Sequence, residues 1–449
     1  MIYSADPICA LITPAGHSAI AVIRISGNGV IDLVAQHFSN AKKLLKSPSH
    51  RLLHGVFGDS PQHQIDEVLV SLFRNPNSYT GEDCIEISCH GNPNIAKRIL
   101  QSLLKHSRMA KPGEFTLRAY LNGKLDLSQA EAVNDLINAS VSKAENAALM
   151  QLRGILSKHL QEILQRITEA RLRCELAIDF ADQDLPSIDL ADLRLRILNL
   201  FTDAKDLANK GEQGRKIREG IKICLAGAPN TGKSSLFNAF LQQNRAIVTP
   251  HPGTTRDYLE ESISLAGFPV VIVDTAGLRD SEDEIENQGI AKSYELMQEA
   301  DIVLYLIDST NPVLPASANF PMEYLDRSII VYSKADLLPE DYVRHAEGIY
   351  CSVLQPSGLV ALSKAILTRL NLSDTLLENP LVTNVRHLAA LAGCIESLQN
   401  ALLSLDNGSG FEFVAFELAS ASGFLEEILG VITPDHLLEN IFSNFCIGK

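Results

Sequence analysis

A glycine-rich segment in the middle of the chain carries the residues needed to bind nucleotide phosphates. Its sequence, GAPNTGKS over 227–234, follows a short apolar run and precedes an amphipathic segment, as G-x-x-x-x-G-K-S requires. The glycines let backbone N–H groups surround phosphate oxygens, and a helix N-terminus adds the positive end of its dipole. We expect Lys233 to reach the terminal phosphates and Ser234 to ligate Mg²⁺.

Two later segments have the residue types of the switch loops of a nucleotide hydrolase. The polar loop TPHPGTTRD over 249–257 precedes an alternating strand, and Thr255, beside Thr254, fits the threonine whose hydroxyl binds Mg²⁺. A second apolar strand ends in DTAG. There Asp274 would hold Mg²⁺ through water, and Gly277 would donate its N–H to the γ-phosphate.

Two further segments indicate which base is bound. SKAD over 333–336 follows a strand, and its carboxylate, Asp336, can accept from both N1–H and the exocyclic amine of guanine. Adenine does not offer that pair of donors. Ser352 and Val353 resemble the loop that contacts the base oxygen. Phosphate, metal and base motifs in this order predict a guanine-nucleotide switch.

The group that orients the attacking water stays open on the residues alone. Leu278 stands where a Ras-like enzyme has a glutamine. Acidic side chains follow it at Asp280, Glu282, Asp283, Glu284 and Glu286. Asn230 is a candidate ligand for a monovalent cation that replaces an arginine finger, while Arg256 and Arg279 are candidates for the finger itself.

Composition predicts a globular protein of two or three domains. The chain has 449 residues, 46% of them hydrophobic, with a net charge of −15 and eight cysteines in no C-x-x-C pair. Long apolar runs such as Ile302–Ile307 are too short to span a bilayer, and a signal-peptide pattern is missing. We therefore expect a cytoplasmic protein. Its acidity excludes RNA binding by diffuse charge, which needs clustered Lys and Arg.

The pattern of apolar residues predicts the elements that position these motifs. Residues 1–122 indicate a mixed domain with strands at Ile20–Ile25, Glu67–Phe73 and Cys84–Cys89 and helices at 29–38 and 93–104. From Ser128 a helical period continues without proline to Pro186, so one or two long helices are expected. Further helices are predicted at 188–210, 385–405 and 411–429, with a polar, glycine-punctuated linker over 211–220.

One basic stretch, Lys97–Lys124, contrasts with the acidic chain. It contains seven Lys or Arg residues against a single acid, Glu114. Two interpretations stay open. The stretch is either a solvated helix face or a binding site for a ligand carboxylate or RNA phosphate.

Taken together, the motifs resemble one family, the tRNA-modification GTPases of the MnmE (TrmE) type. The resemblance rests on GAPNTGKSSLFNAF, TPHPGTTRD and DTAGLRD, and above all on the C-terminal FCIGK over 445–449. In the first domain it includes IRISG over 23–27, SYTGED over 78–83, KPGEF over 111–115 and LNGKLDL over 121–127. The resemblance covers essentially the whole chain.

The resemblance implies the fold and its domains. The fold is a multidomain α/β type in which a doubly wound, mostly parallel P-loop GTPase domain is inserted in an α-helical domain. A small α+β folate-binding-like domain precedes both. The implied boundaries are 1–122 for the N-terminal folate-binding and dimerisation domain, 123–214 and 377–449 for the two parts of the helical domain, and 215–376 for the GTPase domain.

The resemblance also implies cofactors and partners. It indicates a homodimer that acts with an FAD-dependent protein of the MnmG type to modify C5 of the wobble uridine of certain tRNAs, giving an aminomethyl or carboxymethylaminomethyl group. It further implies a 5-formyl-tetrahydrofolate-type cofactor, contacted by Arg24, Glu86, Lys124 and Lys449. Arg and Lys suit the folate carboxylates, and a glutamate can accept from pterin N–H groups.

For the GTPase site, the resemblance implies K⁺-activated hydrolysis, with Glu286 as the catalytic acid that orients water. Mg²⁺ would be held by Ser234 and Thr255. The K⁺ ligands would be Asn230, Thr249, His251 and Thr254. The GTP-binding residues implied are Asn230, Thr231, Gly232, Lys233, Ser234, Ser235, Thr249, Pro250, His251, Pro252, Gly253, Thr254, Thr255, Asp274, Thr275, Ala276, Gly277, Ser333, Lys334, Ala335, Asp336, Ser352 and Val353.

The chain departs from the family pattern at the base-reading loops. Ser333 replaces the usual asparagine and lacks the carboxamide that contacts guanine near N7, so weaker base affinity is expected. Pro356 replaces a glycine, and His251 stands where a small or hydrophobic residue is usual. An alternative function is a regulatory GTPase in ribosome assembly or signalling. That class usually carries a basic RNA-binding appendage and lacks the Cys-Ile-Gly-Lys ending.

Overall fold

A computed structural model of the protein describes residues 6–60, 62–179, 189–244, 259–274, 294–312, 320–339, 341–343, 347–373 and 380–449. The chain divides into two compact units. The first, here the N-terminal unit, comprises Met1–Asn134, Leu152–Leu164 and Ser422–Lys449. The second, here the nucleotide unit, comprises Asp135–Gln151 and Gln165–Ala421.

The N-terminal unit is built on a six-stranded sheet in the order β3-β4-β5-β2-β1-β6. Its strands are β1 (Ile8–Leu11), β2 (Ile20–Ser26), β3 (Arg51–Ser60), β4 (His63–Phe73), β5 (Cys84–His90) and β6 (Arg108–Met109). All neighbours are antiparallel except β1 and β6. The helices are α1 (Val30–His37), α2 (Ala41–Lys46), α3 (Pro93–Leu103) and α4 (Glu114–Leu121). The predicted β2, β4, β5, α1 and α3 are confirmed, and β1 and β3 are additional.

Side chains alternate across this sheet, as the two-residue period of strands requires. Ile23 and Ile25 of β2 and Ile85 and Ile87 of β5 are buried in the core, together with residues of α1 and α3. The alternate positions include Arg24 of β2, which pairs in register with Glu86 of β5. The sheet therefore fixes these two side chains opposite each other.

The region after Ser128 forms three helices rather than one or two. They are α5 (Leu127–Asn138), α6 (Ser142–Leu152) and α7 (Ile155–Asp179). Gly154 lies between α6 and α7 with φ of 79°, a left-handed conformation that ends a helix. The helical conformation predicted from the periodicity is confirmed, and Gly154, with its positive φ, explains the break between α6 and α7.

The nucleotide unit contains the predicted mostly parallel sheet, in the order β12-β11-β10-β7-β9-β8. Its strands are β7 (Ile221–Gly227), β8 (Leu259–Leu265), β9 (Phe268–Asp274), β10 (Ile302–Asp308), β11 (Ser328–Ser333) and β12 (Ile349–Tyr350). Only β8 is antiparallel to its neighbour. Helices α10 (Lys233–Asn244) and α11 (Pro356–Arg369) contribute apolar side chains to one buried cluster, and a second cluster covers the other face. The doubly wound prediction is confirmed.

Four helices flank the sheet in sequence: α8 (Leu190–Asn209), α9 (Gly211–Glu219), α12 (Val385–Asp406) and α13 (Phe411–Leu429). A last helix, α14 (Asp435–Ser443), belongs to the N-terminal unit. α8 and α12 pack against each other, and Arg194 of α8 forms an ion pair with Asp406 of α12. Segments before and after the sheet thus meet, as expected for an inserted GTPase domain.

The prediction of a linker over 211–220 was wrong, because Gly211–Glu219 is a helix. Its glycines serve close packing. A Cβ atom at Gly211 would lie 2.0 Å from Leu388 Cδ2, and one at Gly214 would lie 2.1 Å from the Val382 carbonyl oxygen. Both partners are far away in sequence, so the glycines resembled a flexible linker when only the local sequence was considered.

Among the described residues, one helix, Val385–Asp406, is long and apolar enough to cross a membrane by length and composition. A core helix passes the same test. The buried face of this helix includes Leu391, Cys394 and Leu398, and it packs on α8. The finding is weak evidence for a membrane span.

Candidate nucleotide-binding site

The P-loop connects β7 to α10 and contains three residues with positive φ. Gly227, Asn230 and Gly232 have φ of 138°, 61° and 90°. A Cβ atom at Gly227 would lie 2.4 Å from the Leu306 carbonyl oxygen, so glycine is required there. Asn230 is exposed at the middle of the loop, where its carboxamide oxygen is available to a cation.

Lys233 begins α10 and points back along the loop. It is 7% exposed, and its ammonium donates to the carbonyl oxygens of Gly227 and Ala228, each at 2.9 Å. The Thr231 hydroxyl donates to Ala228 O at 2.8 Å. A buried ammonium at a helix N-terminus forms a positively charged cradle suited to a polyphosphate.

Ser234 and Asp274 meet where a metal would be held. The Ser234 hydroxyl donates to Asp274 Oδ2 at 3.0 Å, and Asp274 is fully buried at the end of β9. Parallel pairing of β7 with β9 brings the P-loop and this carboxylate to the same edge of the sheet. A hydroxyl and a carboxylate are oxygen ligands of the kind Mg²⁺ prefers, so this pair fits that ion.

Ser333, at the end of β11, connects the base-reading segment to the P-loop. Its hydroxyl donates to the Thr231 carbonyl oxygen at 2.6 Å, and the Ile307 carbonyl oxygen lies 3.1 Å away as an alternative acceptor. Ser333 is 8% exposed, whereas Asp336, three residues on, is exposed. The serine therefore holds the scaffold, and the Asp336 carboxylate is free to read a base.

Asp308 is a site residue that the motifs did not indicate. It accepts from the Lys334 ammonium at 2.5 Å and from the Thr310 backbone and hydroxyl at 3.0 and 2.7 Å. Burial alone would raise the pKa of Asp308, but the Lys334 and Thr310 hydrogen bonds outweigh it and lower the pKa. Asp308 ends the buried strand β10, and an acid directly after an apolar run was the signal available in the sequence.

The last predicted loop also lies at this edge. Ser352 is buried and its hydroxyl accepts from the Leu354 N–H at 3.1 Å, while Val353 is 39% exposed. The Ala335 N–H donates to Cys351 O at 3.3 Å, so this loop is attached to the SKAD segment. Ser235 lies in the first turn of α10.

The switch residues fall outside the described part of the chain. These are Thr249, Pro250, His251, Pro252, Gly253, Thr254, Thr255, Thr275, Ala276, Gly277 and Glu286. Their predicted roles stay predictions. The P-loop, Asp274 and the base-reading loops are the parts of the site that the structure describes together.

A second candidate site lies in the N-terminal unit around Arg24. Arg24 Nε and Nη2 donate to Glu86 Oε1 at 3.0 and 2.8 Å. Lys449 is half-buried nearby; burial lowers the pKa of its ammonium, and the Arg24 charge acts in the same direction. The Lys124 ammonium donates to Pro76 O at 3.2 Å, in the same loop as Tyr79, whose ring faces Arg24. Three of the four predicted folate ligands thus form one cluster, with Lys124 on the adjoining loop.

The basic stretch at Lys97–Lys124 is, as a whole, neither a solvated helix face nor an anion-binding site. Arg118 is fully buried and forms ion pairs with Glu82 and Glu114, and Arg108 also pairs with Glu114. These arginines neutralise buried carboxylates. They are therefore unavailable to a diffuse anion.

A mostly parallel sheet with a P-loop, a hydroxyl and a carboxylate that together fit Mg²⁺, and an exposed carboxylate in the SKAD segment define the class, a P-loop GTPase. Family models agree. "GTP-binding protein TrmE N-terminus" matches residues 7–124 and "MnmE helical domain" matches 127–446. The chain belongs to the MnmE (TrmE) family of tRNA modification GTPases.

Curated relatives support this assignment over the full length. Three proteins named "tRNA modification GTPase MnmE" are similar to this chain. The Aquifex aeolicus protein is 39% identical, covering 99% of this chain and 100% of the relative. The Moorella thermoacetica and Clostridioides difficile proteins are 40% and 39% identical, each covering 99% of both chains. The similarity thus extends over nearly the full length of this chain and of each of these relatives.

Among solved structures, the G domain of the T. maritima FeoB iron transporter is also similar. It is 27% identical and matches 33% of this chain and 98% of that chain, with a TM-score of 0.26. A TM-score that low supports no conclusion about this chain.

Proposed function

We propose that this chain is a K⁺-activated GTPase that modifies C5 of the wobble uridine of certain tRNAs together with an FAD-dependent, MnmG-type partner. GTP hydrolysis in tRNA modification, the general part of this function, follows from family membership, since the match to a relative covers 99% of the chain. The observation that best supports GTP as the nucleotide is the exposed Asp336 carboxylate beside a serine bonded to the P-loop.

In the GTPase step, the P-loop residues bind and orient the nucleotide. Lys233 would exchange its two carbonyl acceptors for phosphate oxygens. Ser234 and Thr255 would hold Mg²⁺, and Asp274 would hold it through water. Mg²⁺ neutralises charge on the phosphates when bound. We propose the same GTP-binding set as the motifs predict, including the switch residues outside the described chain.

For hydrolysis itself, we propose Glu286 as the group that orients the attacking water. Asn230, exposed in the P-loop, and the switch residues Thr249, His251 and Thr254 would provide oxygen ligands for K⁺. That ion would supply the positive charge that an arginine finger provides in other GTPases. The exposed Asn230 carboxamide supports this assignment.

In the N-terminal unit we propose a site for a 5-formyl-tetrahydrofolate-type cofactor. Arg24, Glu86 and Lys449 form its described cluster, and Lys124 lies on the adjoining loop. The group supplies a one-carbon unit when bound. The protein's own side chains would bind a carboxylate or carbonyl through Arg24 and Lys449 and accept N–H groups through Glu86.

We further propose that the protein is a cytoplasmic homodimer, with the domain boundaries 1–122, 123–214, 215–376 and 377–449. The partner would be an FAD-dependent protein bound as a hetero-oligomer, with tRNA as substrate. The buried state of seven of the eight cysteines as free thiols is compatible with a reducing compartment.

A strain lacking this chain tests the function against the ribosome-assembly alternative. The tRNA modification function predicts loss of the C5 wobble modification with normal ribosomal subunit profiles. Accumulation of immature subunits with intact wobble nucleosides would support the regulatory alternative instead.

A further inference from the structure

The Arg24 side chain is enclosed by aromatic rings. Its guanidinium carbon lies 5.0 Å from the centre of the Tyr79 ring and 5.5 Å from the centre of the Phe115 ring. These distances are within the range of cation–π attraction. Together with Glu86 on two of its nitrogens, the rings restrict the plane and rotation of the guanidinium.

One Arg24 nitrogen has no hydrogen-bond partner in the part of the chain that the structure describes. Arg24 is 8% exposed, and its Nη1 atom is buried with no hydrogen-bond acceptor among the described residues. A buried donor without an acceptor is unfavourable, so an oxygen atom from a ligand would be stabilised there. Arg24 donates to Glu86, and the charges of both act on the Lys449 ammonium, so two cationic groups meet at this site and an anionic oxygen also fits the charge.

Both residues that carry the rings also form hydrogen bonds. The Tyr79 hydroxyl and the Thr116 hydroxyl lie 2.8 Å apart, and the Phe115 N–H donates to the Lys449 carbonyl oxygen at 3.2 Å. Phe115 is fully buried, whereas Tyr79 is half-buried. Of the two rings around Arg24, Tyr79 is therefore the one that solvent and a ligand can approach.

We propose that Tyr79 is a positioning residue that determines ligand affinity at this site, because its ring holds Arg24 so that Nη1 donates to an anionic oxygen of the ligand. The identity of that ligand rests on the folate-type cofactor proposed above. The positioning role rests on Arg24 and its surroundings alone.

The test measures binding of 5-formyl-tetrahydrofolate by calorimetry to the full-length protein and three variants. Tyr79→Leu removes the ring, and we expect about tenfold weaker binding. Tyr79→Phe keeps the ring and loses only the hydroxyl, so we expect affinity within threefold of wild type. Phe73→Leu is the matched control, because Phe73 is also a half-buried aromatic residue and ends β4, the strand that precedes the Tyr79 loop. This variant should bind like wild type.

The unfolding temperature of each variant separates positioning from folding. If Tyr79→Leu and Phe73→Leu lose similar thermal stability but only Tyr79→Leu loses affinity, the positioning role stands. If wild type binds the folate and the affinity of Tyr79→Leu is within twofold of that of wild type, the positioning role is overturned.

A second probe separates this inference from the cofactor proposal. If wild type does not bind the folate, the cofactor proposal fails. The unfolding temperature of each protein is then measured in sodium formate, with sodium chloride at the same concentration as the control. Stabilisation by formate in wild type and Tyr79→Phe but not in Tyr79→Leu supports the positioning role. Equal formate shifts in all three proteins, or none in wild type, overturn it.

Discussion

Replacing Ser333 with asparagine should tighten GDP binding, and the structure gives the reason. A serine hydroxyl has one hydrogen to donate, and Ser333 uses it within the scaffold, where the Thr231 carbonyl oxygen is 2.6 Å away. An asparagine amide has two, so one can replace the Thr231 bond and the other can reach the base at N7. One added neutral hydrogen bond contributes about 0.5–1.5 kcal/mol, which corresponds to about 2- to 13-fold tighter binding.

Calorimetric titration of wild type and Ser333→Asn with GDP and with 7-deaza-GDP measures this gain. The deaza nucleotide lacks N7, so the gain should disappear with it. Ser328→Asn is the matched control, because Ser328 lies at the opposite end of β11 and its hydroxyl bonds to Tyr324 O. That control should leave both affinities unchanged.

Two results would refute the reasoning. If Ser333→Asn does not tighten GDP binding, serine at this position is not the cause of weak base reading. If it tightens GDP and 7-deaza-GDP equally, the added interaction is with the scaffold rather than with the base.

Four more predictions concern the base contact, a buried ion pair and the hydrolysis step. Asp336→Asn should shift the nucleotide preference from GTP to XTP, because the amide donates to the xanthine oxygen that replaces the guanine amine. A hydrolysis assay with both nucleotides measures this preference. An unchanged preference would disprove the assigned base contact. Arg118→Met should cost about 3–5 kcal/mol in urea unfolding, since Glu82 and Glu114 lose a buried partner; a cost under 1 kcal/mol would contradict it. Replacing K⁺ with Na⁺ should slow GTP hydrolysis sharply, and equal rates in the two salts would reject the K⁺ assignment. Glu286→Ala should keep GTP binding while losing turnover, and normal turnover of this variant would reject the role of Glu286.

The N-terminal unit should also lose stability in acid, with a sign set by Glu114. Burial alone would raise the pKa of Glu114, but hydrogen bonds from Arg108 and the Lys111 N–H and the Arg118 charge outweigh it and lower the pKa below its ordinary value. A carboxyl group with a lowered folded pKa stabilises the fold above its unfolded pKa, and this contribution is lost as pH falls through the folded value. Urea unfolding between pH 6 and pH 3 measures it, and Glu114→Gln should flatten the profile in that window. A profile identical to wild type would contradict the assignment.

The strands and loops that carry the nucleotide motifs could be predicted from the sequence because those motifs are local. The P-loop, Asp274 and Asp336 each follow a strand, and parallel pairing brings strand ends to one edge of the sheet. Contacts between distant segments were not predictable in the same way. The helix at Gly211–Glu219 depends on close packing against Val382 and Leu388.

The N-terminal site shows the same limit. Arg24 and Glu86 were assigned by resemblance, but their pairing follows from the register of β2 and β5, which a single sequence does not specify. Arg118 looked like part of a basic surface, and its partner Glu82 lies 36 residues earlier. Tyr79 lies in the SYTGED segment, but that motif assigned it no role, since its role depends on where the sheet positions Arg24.

The most direct test of the central claim is nucleoside analysis of tRNA from a strain lacking this chain, complemented with wild type or with Lys233→Ala. Lys233 lies in the P-loop, so its loss should abolish GTP turnover. The account predicts that wild type restores the C5 modification of the wobble uridine and that Lys233→Ala does not. Full wobble modification in the uncomplemented strain, or full restoration by a Lys233→Ala protein that no longer hydrolyses GTP, would contradict it.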